Sequence, residues 1–76
     1  MKYVWTKRKG KESYLLEKVL DGRYTPIAEA WPFSKQGEEV WYGRLLTVPF
    51  GKAWEKQESK KRIKEKLIEE YTERSN

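Results

Sequence analysis

The sequence predicts an α+β fold, in which a small antiparallel sheet of three to four strands (β-β-β-β-α) carries a C-terminal helix packed on one face. Apolar and polar residues alternate up to about residue 48, as they do in strands with one buried face. Asp21-Gly22 separates two β-rich runs, which favours a two-residue hairpin turn. After residue 48 the chain becomes rich in Lys and Glu, with apolar residues three to four positions apart, which is typical of an amphipathic helix.

Polar segments that contain glycine divide the alternating region into strands. The predicted strands cover about residues 3–7, 13–20, 23–31 and 40–48. Turns are predicted at residues 8–12 and 33–39, because both segments combine charged or polar side chains with a glycine. The sequence Pro49-Phe50-Gly51 ends the alternation before the helix.

The Asp21-Gly22 turn predicts a register between the second and third strands, with Leu20 opposite Arg23 and Leu16 opposite Ile27. Alternation then divides the side chains between two faces. One face would carry Ser13, Leu15, Glu17, Val19, Tyr24, Pro26, Ala28 and Ala30, which are mostly small and apolar. The other would carry Tyr14, Leu16, Lys18, Leu20, Arg23, Thr25, Ile27, Glu29 and Trp31, a mixture of aromatic, aliphatic and charged groups.

Two interpretations of these faces follow. Either the helix covers the small apolar face and the mixed face is a recognition surface, or the helix covers the mixed face and Ala28 and Ala30 are exposed. Pro26 bears on the choice, since it cannot donate a hydrogen bond within a sheet and suits an edge strand or a bulge. A bulge at Pro26 would reverse the two faces beyond it.

The helix is predicted over about residues 52–73. Ile63, Leu67, Ile68 and Tyr71 form an apolar stripe at helical spacing, which indicates that the C-terminal half docks on the sheet. Trp54 lies out of phase with this stripe, and no apolar residue separates it from Ser59. We therefore expect a kink or break between Trp54 and Lys60.

Composition favours a binding protein over an enzyme. The 76 residues include 11 aromatic side chains but neither cysteine nor histidine, the usual nucleophiles, bases and transition-metal ligands. No phosphate loop or paired-carboxylate motif occurs, so no catalytic residue, metal site or cofactor is predicted. A chain of this length should form a single domain over residues 1–76. Without disulfides, a targeting segment or about 20 consecutive apolar residues, we expect it in the cytoplasm and not in a membrane.

Charge favours an anionic partner, because 17 Lys and Arg residues against 12 Asp and Glu residues give a net charge of +5. Basic residues cluster near the first predicted turn and again over residues 60–66, within the predicted helix. Interleaved aromatic and basic side chains can stack on bases and hold phosphates, so we expect DNA or RNA binding. The candidate binding residues are Lys7, Arg8, Lys9, Lys11, Tyr14, Lys18, Arg23, Trp31, Arg44, Lys60, Lys61, Arg62 and Lys64.

The order of strands followed by one helix resembles the topology of the arm-binding domains of phage integrases and the related plant AP2 domains. That resemblance is one of topology and involves no shared residue motif. The alternative function is that of a phage- or mobile-element-type inhibitor or adaptor. Exposed Trp, Tyr and Arg side chains would then bind a host protein or ribonucleoprotein complex, or a second copy of the chain in a homodimer.

Overall fold

Five antiparallel strands form one open sheet in the order in which they occur in the chain, and a helix follows them. The computed structural model describes residues 2–48 and 54–74, without the side chain of Trp54. The elements are β1 (Lys2–Lys7), β2 (Tyr14–Leu20), β3 (Arg23–Lys35), β4 (Glu38–Leu45), β5 (Trp54–Gln57) and α1 (Lys60–Arg74). This confirms the predicted α+β class, with one strand more than the upper predicted number.

Two tight hairpins connect β2 to β3 and β3 to β4. The predicted two-residue turn is confirmed: Asp21 and Gly22 have φ values of 51° and 76°, as a type I′ turn requires. Gln36 and Gly37 repeat this geometry, with φ values of 52° and 80°. The predicted loop over residues 33–39 is therefore wrong, because two residues suffice for the turn and β3 continues to Lys35.

A bulge in β3 changes the predicted register. The predicted pairing holds from Leu20 opposite Arg23 as far as Glu17 opposite Pro26. The next pair is Leu16 with Ala28, so Ile27 is an extra residue, and the predicted pairing of Leu16 with Ile27 is wrong. Pro26 has no N–H for the ladder, which is the physical reason for a bulge at this point.

The bulge reassigns the faces beyond Pro26. Ala28 and Ala30 now lie opposite Leu16 and Tyr14, and this combined face packs against α1. Glu29, Trp31 and Phe33 lie on the other face, which we call the open face. The helix therefore covers the predicted mixed face along β2 but the predicted small apolar face in the part of β3 beyond the bulge, so each interpretation is correct for only part of the hairpin.

The helix begins later than predicted. Residues 54–57 form β5, which pairs with β4 from Arg44 opposite Trp54 to Trp41 opposite Gln57, so a helix over these residues is wrong. Residues 52 and 53, also predicted as helical, lie outside the described part of the chain. Ser59 caps the helix: its Oγ accepts from the Arg62 N–H at 3.2 Å, and its carbonyl oxygen accepts from the Ile63 N–H at 3.0 Å.

The core lies between α1 and the sheet. Its buried residues are Leu16, Ile27, Ala28, Ala30, Trp41, Leu45, Ile63 and Leu67. Gly43 permits the close approach of the helix, since a Cβ atom at this position would lie 2.9 Å from Leu67 Cδ1 and 3.0 Å from Ile63 Cγ1. The predicted docking through Ile63 and Leu67 is confirmed. Within residues 2–48 and 54–74, no helix has the length and apolar character needed to cross a membrane.

The carboxyl group of Glu55 on β5 is sensitive to the charges of α1. Burial and the negative charge of Glu70, with a smaller contribution from Glu69, outweigh the opposing charge of Lys66 and raise the pKa of Glu55. The folded protein therefore holds this proton more tightly than the unfolded chain does. Stability should fall as pH rises from the unfolded pKa of about 4.3 through the raised folded pKa.

Glu55→Gln should therefore stabilise the protein at about pH 7, where the wild-type carboxyl is charged, and the gain should vanish below about pH 4. We expect roughly 0.5 kcal/mol or less, because solvent screens a partly exposed carboxylate. Thermal denaturation at the two pH values measures the effect, with the exposed Glu58→Gln as a charge-matched control. A gain of equal size at both pH values would contradict the assigned cause.

Candidate functional site

Three aromatic rings form a row on the open face, which we call the aromatic ladder. Trp31 on β3 lies directly opposite Tyr42 on β4, and their rings stack with centroids 6.4 Å apart and planes 25° apart. Phe33 meets Tyr42 edge-on at 6.3 Å and is 50% exposed. Gly43, the residue after Tyr42 in β4, faces Leu67 of the helix. Because successive residues of a strand face opposite sides, Tyr42 and the two rings beside it point away from the helix. The row gives flat apolar surface that solvent can reach.

A charged cluster lies next to the ladder. The Glu29 carboxylate accepts from Arg44 Nε at 2.9 Å and from Arg8 Nη1 at 2.7 Å. The side chains are 13% exposed for Glu29, 21% for Arg44 and 37% for Arg8. One carboxylate therefore orients two guanidinium groups, and the cluster keeps a net charge of +1. Glu29 precedes Trp31 by two positions on the same face, so the cluster borders the ladder directly.

An open cavity of about 270 Å³ lies at the other end of the ladder, beside the β3–β4 turn. We call it the hairpin cavity. Its lining residues are Phe33, Lys35, Gln36, Glu38, Val40, Tyr42 and Lys56. The two lysines give this end of the open face a positive rim, while Gln36 and Glu38 supply hydrogen-bonding groups.

The predicted binding residues fall into several groups. Trp31, Arg44 and Arg8 belong to the ladder and the charged cluster. Lys7 ends β1, and Lys9 and Lys11 are exposed in the loop that carries Arg8. The structure thus brings five of the candidates to the end of the sheet that carries the ladder, namely Arg8, Lys9, Lys11, Trp31 and Arg44. Lys7 pairs with Tyr14 and so lies on the face that packs against α1.

The remaining candidates lie elsewhere. Arg23 is exposed beside the β2–β3 turn, at the far end of β3 from the ladder. The exposed side chains of Lys61 and Arg62 lie in the first turn of α1, on the opposite side of the sheet from the ladder, and half-buried Lys64 follows them. The predicted grouping of Tyr14 and Lys18 with Trp31 on one face is wrong, because the bulge moves Trp31 to the other face.

Tyr14 takes part in an aromatic cage around the ammonium group of Lys60. Lys60 Nζ lies 3.9 Å from the centroid of the Tyr14 ring, 5.8 Å from that of Trp5 and 5.9 Å from that of Trp41. Tyr14 also packs against both tryptophans, at 6.1 Å from Trp5 and 5.7 Å from Trp41. Cation–π attraction in this cage holds the first residue of α1 against the sheet.

Lys18 makes a second connection between the sheet and the helix. Its Nζ donates to the hydroxyl oxygen of Tyr71 at 2.9 Å. This hydrogen bond to Tyr71 raises the pKa of Lys18 above its ordinary value, because it stabilises the ammonium form. Lys18 and Lys60 thus both contribute to the seating of α1.

Sequence reasoning missed several residues of the open face. The sequence pattern places Phe33 and Lys35 in a predicted turn and Lys56 in the predicted helix, so none of the three is expected on a strand. Glu29 and Tyr42 were not selected because their partners depend on register. One signal could have found the longer hairpin: Gln36-Gly37 is flanked on both sides by alternating residues, which favours a two-residue turn.

The open face defines this chain as a small α+β protein with a sheet surface that is both aromatic and basic. No protein-family model matches the chain, and no curated protein and no solved structure matches it significantly. Function is therefore inferred from the geometry of the open face.

Proposed function

We propose that this protein binds nucleic acid through the open face of its sheet. The observation that carries the proposal is the aromatic ladder of Trp31, Tyr42 and Phe33, three rings in a row on a surface that no element of the described residues covers. Bases stack on such rings with little dependence on sequence, because every base has a π face.

The absence of cysteine from the sequence means that folding requires no disulfide, which suits a cytoplasmic location.

Positive charges flank the ladder at both ends. The charged cluster and the loop with Lys9 and Lys11 lie at one end, and Lys35 and Lys56 lie at the other. A strand whose bases stack on the ladder would therefore meet cations on either side for its phosphates. The net charge of +5 adds a longer-range attraction to a polyanion.

The basic residues of α1 form a separate surface. Lys61 and Arg62 are exposed on the helix, with the whole sheet between them and the ladder. One short strand cannot contact both surfaces at once, so we assign the stacking contacts to the open face. The helix cations remain candidates for contact with a longer or folded nucleic acid.

Trp31→Ala should weaken binding to single-stranded DNA or RNA by about fivefold to 150-fold, because base–aromatic stacking contributes about 1–3 kcal/mol per base. The measurement is a fluorescence-anisotropy titration at about 50 and 200 mM salt, since phosphate contacts lose affinity steeply as salt rises. Leu20→Ala is the control, because Leu20 is a large exposed side chain outside the ladder. Equal affinities for wild type and Trp31→Ala would contradict the proposal.

A protein partner is the second candidate, favoured by the charged cluster. Glu29 already pairs with Arg8 and Arg44, so these cations are partly balanced inside the protein. Trp, Tyr and Arg are also the residues that dominate protein interfaces. A host protein, a ribonucleoprotein complex or a second copy of the chain would then cover the open face. This candidate predicts no binding to nucleic acid even at about 50 mM salt.

A further inference from the structure

We propose that the hairpin cavity holds one unpaired nucleobase, so that the preferred ligand is a single strand and not a duplex. The proposal rests on the proposed function and specifies the class of nucleic acid. Its basis is the combination of aromatic walls, polar groups and cations around one cavity of about 270 Å³.

The size of the hairpin cavity suits one planar heterocycle. Pockets for drug-sized ligands have volumes of about 300–1,000 Å³, and this cavity of about 270 Å³ lies just below that range. Two walls are the rings of Phe33 and Tyr42, whose planes meet at 72°. Val40, directly opposite Phe33 in the register, lines the cavity between them. A base can lie flat on one ring and meet the edge of the other, which is a favourable aromatic arrangement.

The polar lining matches the remaining parts of a nucleotide. Glu38 can accept hydrogen bonds from an exocyclic amino group, and Gln36 can donate and accept along a base edge. Lys35 lies beside the turn, and Lys56 lies opposite Tyr42 on β5. The two ammonium groups thus border the cavity where the phosphates of a base seated on the rings would pass.

A duplex does not present its bases in this way. Paired bases are stacked on one another, so their faces cannot reach a protein ring without being unpaired. An unpaired base can be displaced from its neighbours and stacked on Phe33, whose ring is half exposed at the rim of the cavity. The same base would bring its hydrogen-bonding edge toward Gln36 and Glu38. The cavity should therefore discriminate by strandedness.

Matched substitutions at Phe33 test this inference. Phe33→Leu keeps apolar bulk but removes the flat ring, whereas Phe33→Trp keeps a ring. Tyr24→Leu is the control, because it also removes an exposed ring from the open face, where Tyr24 is 62% exposed. Tyr24 lies about 30 Å from Phe33 along β3, at roughly 3.3 Å per residue. The probes are fluorescently labelled ten-nucleotide RNA and DNA strands of mixed sequence, and a blunt-ended ten-base-pair duplex stem that has no loop. Melting temperatures of all variants check that each remains folded.

We expect wild type to bind the single strands about tenfold more tightly than the stem, and Phe33→Leu to remove that preference. Phe33→Trp and Tyr24→Leu should retain it. Equal wild-type affinity for strand and stem, or a preference that survives Phe33→Leu, would overturn the cavity assignment and leave nucleic-acid binding intact. An absence of binding to every probe at about 50 mM salt would overturn the proposed function as well. Tighter binding of either single strand than of the stem would support the assignment, and the more tightly bound of the two strands would identify the preferred sugar.

Discussion

Replacing Leu67 by alanine is expected to lower the free energy of unfolding by about 2 to 5 kcal/mol. Leu67 is fully buried and lies over Gly43, where the helix approaches the sheet most closely. The substitution removes apolar burial and leaves a cavity that backbone hydrogen bonding in α1 and β4 prevents from closing fully. Thermal and urea denaturation measure the loss. Leu20→Ala, at a position that is already 48% exposed, should cost far less.

Gly43→Ala tests the same contact between α1 and the sheet from the side of β4. A Cβ atom at Gly43 would lie 2.9 Å from Leu67 Cδ1, so the single variant should be overpacked and lose about 1–3 kcal/mol. In the Leu67→Ala background the contact with Leu67 Cδ1 is gone, although the one with Ile63 Cγ1 at 3.0 Å remains, and the added methyl group partly fills the cavity. The double variant should therefore be more stable than the sum of the two single losses predicts. Additive losses would show that α1 is not seated on Gly43.

The fold class and most strands were predictable because they depend on local patterns. Alternation and the Asp21-Gly22 turn require only neighbouring residues, and the structure has φ values of 51° and 76° in that turn. Pro26 alone indicated that a bulge could occur, because proline cannot donate a hydrogen bond within the sheet. Its occurrence could not be decided locally, because it depends on whether β3 must place Ala28 and Ala30 beneath the helix. The packing of α1 on small residues decides this in the folded state.

The segment from Trp54 to Gln57 shows tertiary structure overriding local propensity. Glu, Lys and Gln are good helix formers, so these residues extend the predicted helix when the sequence is considered alone. In the fold, the same residues lie beside β4 and form ladder hydrogen bonds with it. Only after Ser59 caps the chain does a helix begin. The sequence pattern did predict a break between Trp54 and Lys60, and the helix begins at Lys60.

The candidate site was predictable in its charges but not in its aromatic geometry. Basic residues in a polar turn are solvent-facing in almost any fold, so Lys9 and Lys11 could be chosen without a register. The ladder required three further facts: β3 extends to Lys35, the bulge turns Trp31 outward, and Trp31 faces Tyr42. Tyr14 is half-buried, because the face that it shares with Leu16 packs against α1.

Glu29→Gln should change stability and nucleic-acid binding in opposite directions. Glutamine keeps the shape of the side chain and one acceptor oxygen, but it removes the charge that pairs with Arg8 and Arg44. The two guanidinium groups then lie close together without a counter-charge, and Arg44 is largely buried. Hydrogen bonds to charged groups contribute about 1.5–3 kcal/mol, so we expect a loss of about 1–3 kcal/mol in the free energy of unfolding.

Binding should respond in the other direction, because the side chains released from Glu29 border the ladder. The net charge rises from +5 to +6 when one carboxylate is removed, and a phosphate can take its place between the guanidinium groups. Each additional phosphate contact steepens the dependence of log K on log salt by about 0.7 to 0.9. We therefore expect about threefold to tenfold tighter binding at about 50 mM salt, with a steeper loss at about 200 mM.

The matched control is Glu73→Gln, which makes the same change in net charge at an exposed position near the end of α1. If long-range attraction alone governs binding, the two variants should gain equally, and the assignment of the charged cluster to the interface fails. If the open face serves a protein partner instead, Glu29→Gln should lose stability without acquiring any affinity for nucleic acid. Anisotropy titrations of both variants beside their melting curves separate these results, because only phosphate contact at Arg8 and Arg44 combines lower stability with tighter, more salt-sensitive binding.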